Sequence, residues 1–594
     1  MKSKPLQRIS SLATRHPLVA LVTLAGAIAV IGVSFGEEHD SARPAPVQTS
    51  RPGGALSSVN PQTVSPFTAL PMPTRFEQSA QAGYQQQAVV SAEPAWSGAT
   101  TSTPRSLAAM WGIQSGEETD ARRDHPVVAP ADLQPVQPPR LYVASVPTPG
   151  DIDADGQKAS AALPPTQVQV SLDTVSKGGG VAAASRDSAG AGVVNLGGLG
   201  LNPAAGAATV SVYTPAQIRQ AYGFAALPDG TLANKSVYQG AGQIIVILDA
   251  FHHATAGVDL NTFSAKFGLP ACTLLPTVYQ PKVAISALVS KPAAGNGCTF
   301  QTLYVNSAGA QAANPPAVNA AWAVEIALDV QWAHAMAPKA KIVLVEAASA
   351  SGNDLMNAML FASKLGARTV SMSFGAPEFS SAPTFDWVMG GAGVTWVAAT
   401  GDNGAGVSWP ASSRNVLAVG GTQLNNVSPR AEVGWSGSGG GRSAYVVMPA
   451  WQSSVSIVGN PANTLANAAK MRRGVPDVAY NASPYSGFYV YMSGKGYLSV
   501  GGTSAGTPQW AALVSIIDGV RALAGKPVFS GTAFQQALYG TAASTAIYKA
   551  AWLDVSSGTN GKCGAGCSAS INYDLVTGLG TPNVVSLLGT MAGI

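Results

Sequence analysis

Charge is scarce in this sequence. Only 11% of its 594 residues are Asp, Glu, Lys or Arg, and 34 bases against 30 acids leave a net charge of +4. A balance that small and scattered excludes a nucleic-acid groove, so no nucleic-acid partner is expected. Cysteine is also rare. The four residues Cys272, Cys298, Cys563 and Cys567 have no flanking His at ligand spacing, which argues against zinc. Two local disulfides are expected instead, Cys272 with Cys298 and Cys563 with Cys567. Histidine numbers six, and His16, His39 and His125 lie ahead of the folded region, so few imidazoles remain for chemistry. By contrast, the 65 glycines and 41 prolines exceed ordinary usage and must sit in loops or low-complexity stretches.

The amino-terminal stretch reads as a targeting segment. Lys2, Lys4, Arg8 and Arg15 precede an uncharged apolar run from Pro17 to Phe35, and Glu37, Glu38 and Asp40 follow it. That order predicts export of the rest of the chain. The run is close to the roughly 20 residues that span a bilayer, so residues 1–36 are expected to be a retained membrane anchor. A signal peptide cleaved after Ala25-Gly-Ala27 is the alternative, although Ile28 to Phe35 would then leave an apolar terminus. Residues 37–210 are rich in Pro, Ala, Ser, Gln and Gly and are expected to be a mostly disordered linker. Within them Leu141-Tyr-Val-Ala-Ser-Val146 is a candidate for a short strand.

From residue 211 to 594 the texture changes to apolar strands alternating with helical patterns. Strands are expected at 243–249, 341–346, 369–373 and 394–399, with helices near 258–267, 318–336, 354–365 and 385. This alternation predicts an α/β domain with a parallel sheet covered by helices on both faces. Ligand sites in such sheets lie beyond the carboxyl ends of the strands. That places Asp249, Ser371 to Gly375 and Thr400-Gly-Asp-Asn-Gly404 at the candidate site.

The chemistry centres on Gly501-Gly-Thr-Ser-Ala-Gly-Thr-Pro508, which follows a strand and opens an apolar helix. A Ser in such a turn presents its hydroxyl beside the N–H groups of a helix start. The plain alternative is that Ser504 only caps the helix. The motif resembles the nucleophile segment of the sedolisins, the serine-carboxyl peptidases, on a subtilisin-like fold. Tyr213-Thr-Pro-Ala-Gln-Ile-Arg-Gln-Ala-Tyr-Gly223 resembles the start of that family's catalytic domain. Ala399-Thr-Gly-Asp-Asn-Gly-Ala405 resembles its oxyanion-aspartate motif. Trp435-Ser-Gly-Ser-Gly-Gly-Gly441 and Ser371-Met-Ser-Phe-Gly375 resemble the segments beside its cleft.

A serine nucleophile needs a base. His252 and His253 directly follow Asp249, but the subtilisin-type His-Gly-Thr-His segment is missing. His334 falls on the far side of its helix from Glu325. That helix, Ala321-Trp-Ala-Val-Glu-Ile-Ala-Leu-Asp-Val-Gln-Trp332, instead carries Glu325 and Asp329 at i and i+4, among apolar neighbours. Two partly buried carboxyls on one face share a proton. The resemblance implies Glu325 as the base, Asp329 as its support and Asp402 as a protonated donor to the oxyanion. A Glu base stays competent at acid pH, where imidazole would already be protonated.

The resemblance further implies one structural calcium ion. Its ligands would be the carboxylates of Asp554 and Asp574 and the carbonyls of Val555, Ser570 and Asn572. Family members usually carry Gly at the positions of Ser570 and Asn572. They also carry a folded propeptide where residues 37–210 stand, so maturation by the usual route is not expected here. The expectation is therefore an exported, membrane-anchored, monomeric serine-carboxyl endopeptidase acting on polypeptides at acid pH. The alternatives are a non-catalytic peptide-binding or envelope protein of the same fold, and a subtilisin-type enzyme using Asp249 with His252 or His253.

Overall fold

The computed structural model describes residues 121–134, 136, 141–146, 148–149, 208–228, 235–289, 297–390 and 393–594, and the backbone alone of 166–170 and 173–175. All lie within one compact unit, Ala69–Ile594. The second unit, Met1–Thr68, lies outside the described residues, as do the expected anchor and most of the expected linker.

The described part of that linker is tied to the body. Val127 N–H donates to Asn357 Oδ1 at 2.6 Å and its carbonyl accepts from Asn357 Nδ2, while Ala129 N–H donates to Asn353 Oδ1. Val127 and Val136 are buried. Strand β1 (Leu141–Ser145) follows, at the site of the candidate strand, then β2 (Thr166–Val170), β3 (Asp173–Val175) and β4 (Ala208–Tyr213). β1 pairs with residues 496–501 and β4 with residues 486–492, while β3 pairs with β1 and β2 with β4.

Helix α1 (Pro215–Tyr222) opens the α/β region with a capping box, Thr214 with Gln217, and Pro at its first turn. Then come β5 (Ile244–Ala250), α2 (Ala256–Lys266), β6 (Thr273–Leu274), β7 (Thr299–Val305), α3 (Ala320–Met336), β8 (Lys341–Ala347), α4 (Gly352–Ser363), β9 (Thr369–Met372) and β10 (Thr395–Ala399). They are followed by β11 (Val416–Val427), β12 (Arg430–Gly434), β13 (Val478–Asn481), β14 (Ser486–Met492), β15 (Gly496–Gly501) and α5 (Gly506–Leu523). The main sheet has nine strands, in the order β12-β11-β10-β9-β5-β8-β7-β6, with β13 also on β11. Every pairing in it is parallel except β11 with β12.

The pleat divides the core in two. Ile245, Ile247, Ile342, Leu344 and Val397 bury with α3 and α5 on one face. Val246, Leu248, Val343, Val345 and Val370 bury with α4 on the other. Because each strand is covered on both faces, successive residues are apolar, and each fully buried Val or Ile contributes about 1.5–3 kcal/mol. A second sheet, β2-β4-β14-β15-β1-β3, is built on the β14–β15 hairpin. Both expected disulfides are present, Cys272–Cys298 and Cys563–Cys567. The fold is α/β, with helices on both faces of a mostly parallel sheet, as the alternation of strands and helices implied.

Candidate active site

Ser504 sits in a single 3-10 turn, Thr503–Ala505, between the end of β15 and the start of α5. The chain can make this junction because Gly502 has φ of 146°, and a Cβ there would meet Asp402 Oδ2 at 2.6 Å. Ser504 is fully buried, and its hydroxyl has no hydrogen-bond partner among the described residues. It therefore does not cap α5. An orphaned buried hydroxyl is uncommon and asks for a reason, of which a reactive role is one.

Asp402, in the turn after β10, is brought to that junction. Its Oδ1 accepts from Thr503 N–H at 2.7 Å and from Thr503 Oγ1 at 2.8 Å, and Thr503 Oγ1 accepts in turn from Gly401 N–H. The carboxylate thus faces the neighbour of Ser504. Gly401, at φ of 103°, and Gly404, at φ of 78°, allow the turn.

Helix α3 packs against the same turn. Asn319 caps it by accepting from the N–H groups of Ala321 and Trp322. From Trp322 to Met336 every residue of the helix is buried, including Glu325 and Asp329 at 0% exposure. The expected partly exposed face is thus a central helix with no solvent side. Its position relative to β14 is fixed by polar groups. Gln331 Nε2 donates to Tyr491 O at 2.7 Å, Tyr491 N–H donates to Gln331 Oε1 at 2.9 Å, and Trp332 Nε1 donates to Tyr489 O. The acid-bearing helix and the hairpin that leads into Ser504 are one assembly.

The histidines are engaged elsewhere. His252 Nδ1 is 2.7 Å from Glu346 Oε2, and His253 Nε2 is 3.0 Å from Asp259 Oδ2. Burial pushes the Glu346 carboxyl up, against the pull of His252. Burial also opposes ionisation of Asp259, but hydrogen bonds from His253, Ser493 and Thr255 outweigh it and hold that carboxyl low. Asp249, fully buried, is the last residue but one of β5, in register with Glu346, on the sheet face covered by α3. Phe251 then takes a left-handed φ of 64°, a strained conformation for an aromatic residue of the kind that gathers at functional sites. His334 Nε2 lies 2.8 Å from Pro270 O, and its Nδ1 lies 3.5 Å from Cys272 Sγ. Burial lowers its pKa to about 4.

The carboxyl-terminal loops bring the other expected residues together. Asp574 Oδ2 accepts from Ser570 N–H, and its Oδ1 accepts from the N–H groups of Val576 and Thr577. Asp554 Oδ2 accepts from Asn572 N–H, and Thr577 Oγ1 donates to the Val555 carbonyl. Burial pushes Asp574 up to about 6 and raises Asp554 as well. Asp554 Oδ1 is out of solvent, and the Tyr548 hydroxyl lies beside this carboxyl. Asn572 has φ of 68°, a conformation that suits Gly and that Asn tolerates better than most residues. A hard cation fits this set, because it would supply the positive charge that the two raised carboxyls lack.

Sequence reasoning missed Thr503, the residue that ties Asp402 to the turn holding Ser504, and Gln331, which registers α3 on the hairpin. Only the Gly-Thr-Ser motif hinted at the first, and nothing local marks the second.

Residues 293–566 match the Subtilase family model. Kumamolisin from Bacillus sp. (strain MN-32) is 33% identical over 297 residues, covering 44% of this chain and 50% of that protein. Sedolisin from Pseudomonas sp. (strain 101) is 33% identical over 194 residues, 30% of each chain. Among solved structures, Pseudomonas sedolisin aligns with 64% of this chain and 98% of its own, at 24% identity and a TM-score of 0.48. The chain spans half or less of the length of the curated relatives it matches. These sequence matches bear out the resemblance to the sedolisins.

Proposed function

We propose that this protein is a serine-carboxyl endopeptidase that hydrolyses peptide bonds through an acyl-enzyme on Ser504. The observation that carries the reading is the bonding of Asp402 to Thr503, at a turn whose other wall is the buried helix bearing Glu325 and Asp329. Relatives named as tripeptidyl-peptidases, 30% and 32% identical, support the class of reaction.

In this reading Ser504 Oγ attacks the scissile carbonyl as its proton passes to Glu325. Asp329, one turn on, shares a proton with Glu325, since two such carboxyls out of solvent are not both ionised. The carbonyl oxygen gathers negative charge beside Asp402. Because Oδ1 of that residue already accepts two hydrogen bonds from Thr503, Oδ2 is the oxygen to carry a proton and donate it toward the oxyanion. Glu325 then protonates the leaving amine, and water releases the acyl group by the same steps in reverse order. Acid pH suits both a protonated Asp402 and a carboxylate base.

Asp554, Asp574 and the Val555 carbonyl would hold a calcium ion, with the carbonyls of Ser570 and Asn572 as the remaining protein ligands. Such an ion would stabilise the loops and take no part in the reaction. Export, and retention at a membrane through residues 17–35, rest on the sequence pattern of the amino terminus alone. Casein digestion measured against pH tests the proposal. Wild type should act on the acid side and Ser504→Ala should not act at all. Loss of activity in the His252→Ala, His253→Ala double variant, with Glu325→Gln still active, would favour the subtilisin-type chemistry instead.

A further inference from the structure

The chain brings two sulfurs and an imidazole together beneath the loop between α2 and β6. Cys272 and Cys298 are placed side by side by the backbone as well as by their own bond. Thr273 pairs with Thr299 where β6 meets β7, and Thr273 N–H donates to the Cys298 carbonyl at 2.9 Å. Asn261 on α2 grips Cys272 from its own side. Its Oδ1 accepts from Cys272 N–H at 2.8 Å, and its Nδ2 donates to Cys272 O at 3.0 Å. The two sulfurs would therefore stay neighbours if the bond between them opened. His334, on α3, completes the group. A carbonyl can only accept, so at 2.8 Å from Pro270 O the His334 Nε2 carries the ring hydrogen. Burial keeps the ring neutral above about pH 4, which leaves a bare lone pair on Nδ1. That atom is 3.5 Å from Cys272 Sγ, and a disulfide sulfur has no hydrogen to offer it. All three residues are buried, and one ligand atom from each lies within 4.8 Å of the others. Among the described residues no carboxylate joins them. The cover is thin, because Ala271 and Thr273, on either side of Cys272, are exposed.

We propose that Cys272, Cys298 and His334 form a binding site for monovalent copper when the disulfide is reduced. Thiolates and imidazole suit this soft ion, and three donors are enough for it, whereas structural zinc takes four. Charge agrees. Arg219 lies close enough to act on His334, with its guanidinium bonded to the carbonyls of Ala335 and Met336. Two thiolates, one Cu⁺ and this guanidinium sum to zero, as a site out of water requires. A dithiol reductant supplies the two electrons and two protons that open the disulfide, and becomes a disulfide itself. Cu⁺ then displaces both thiol protons and bonds to the two sulfurs and to Nδ1. Copper and the disulfide are thus alternative states of the same two sulfurs, and neither depends on the peptidase reading.

The test uses the full chain carrying Cys563→Ser and Cys567→Ser, so that only one disulfide responds, and Cu(I) bicinchoninate as the probe under nitrogen. Reduced with a phosphine, this protein should withdraw one Cu(I) per chain from the chelator, and unreduced it should withdraw none. Cys272→Ser should abolish the uptake. His334→Leu should weaken it by at least about tenfold, the loss that follows even from removing a partner outside the ligand shell. A reduced protein that melts cooperatively yet takes up no copper overturns the proposal, as does full uptake by either variant. If reduction or Cys272→Ser unfolds the chain, added Cu(I) decides. It should restore a cooperative melt to the reduced protein, and failure to do so overturns the site. X-ray absorption at the copper edge should show two sulfurs and one nitrogen, and a shell of sulfur alone removes His334. Displacement of the copper by an equal concentration of Zn²⁺ would overturn the choice of a monovalent ion.

Discussion

Two pairs of acids can be compared in this molecule, Glu325 with Asp329, both fully buried, and half-buried Asp554 with buried Asp574, and their backbones treat them differently. The first pair rides on α3, a helix that spends its N–H groups on its own ladder. The second lies in glycine-rich loops, where Ser570, Asn572, Val576 and Thr577 all turn N–H groups onto the carboxylates. The loop N–H groups oppose the effect of burial, which still wins at Asp574 and Asp554 and leaves both carboxyls raised. The N–H groups of α3 are committed to its ladder, and the proposed function has its two acids share a proton. The contrast teaches that burial alone does not set the role proposed for a carboxyl, and that the backbone carrying it also counts.

The strongest way to break this contrast is to remove proton transfer and leave the fold intact. Glu325→Gln should lower peptide hydrolysis by about 10⁴-fold or more, as for other members of a nucleophile–base unit, with the melting temperature nearly unchanged. A variant that unfolds while keeping activity per folded molecule would place Glu325 with the structural acids. Next in size is Asp402→Asn, which keeps an acceptor for Thr503 but disturbs the oxyanion donor. It should cost about 10²–10³-fold in kcat with little change in KM, and a pure KM effect would count against the donor role.

The loop pair should show the reverse. Chelation, or Asp574→Asn, should lower the melting temperature by roughly 5 °C at a hundredfold excess of calcium over its Kd, with kcat of the folded fraction preserved. The pH dependence sharpens this. Asp574 titrates near 6 when folded against 3.8 as a free group. The folded state without metal therefore holds a proton that the unfolded state has lost, and its stability falls as pH rises from about 4 to about 6. Calcium competes with that proton, so its stabilising effect should grow across the same window. Thermal melts at pH 4.5 and 7, with calcium and with chelator, check it, and an equal calcium effect at both pH values counts against Asp574 as a ligand.

The smallest effect concerns His334, whose burial lowers its pKa from 6.5 to about 4. The unfolded chain takes up its proton first, so this group costs stability as pH falls through that range. His334→Leu should narrow the gap between melting temperatures at pH 4 and pH 7. An unchanged gap would mean that the acid limit of stability lies with other groups.

The alternating strands and helices of 243–399 were legible because each strand, covered twice, is a short continuous apolar run ending in a polar or glycine-rich turn. Ser504, Glu325, Asp329 and Asp402 were legible through motif and spacing. What sequence alone withheld was long-range. The burial of α3 from Trp322 onward depends on a hairpin some 160 positions away, and the placement of Val127, Ala129 and β1 depends on Asn357, Asn353 and the edge of β15. His334 reaches Cys272 across 62 positions, a meeting that no spacing rule around the cysteines could find.

The paired hydrogen bonds between Gln331 and Tyr491 act as a ruler. Sliding β14 by one residue would turn Tyr491 to the other side of its strand and break both bonds at once. Insertions in the hairpin tip at 493–495 can bulge outward without disturbing this gauge. A single-residue deletion within 496–501 would instead shift the approach to Ser504 against α3. Variation in chain length between homologous sequences should therefore be tolerated at the tip and selected against along the two strands.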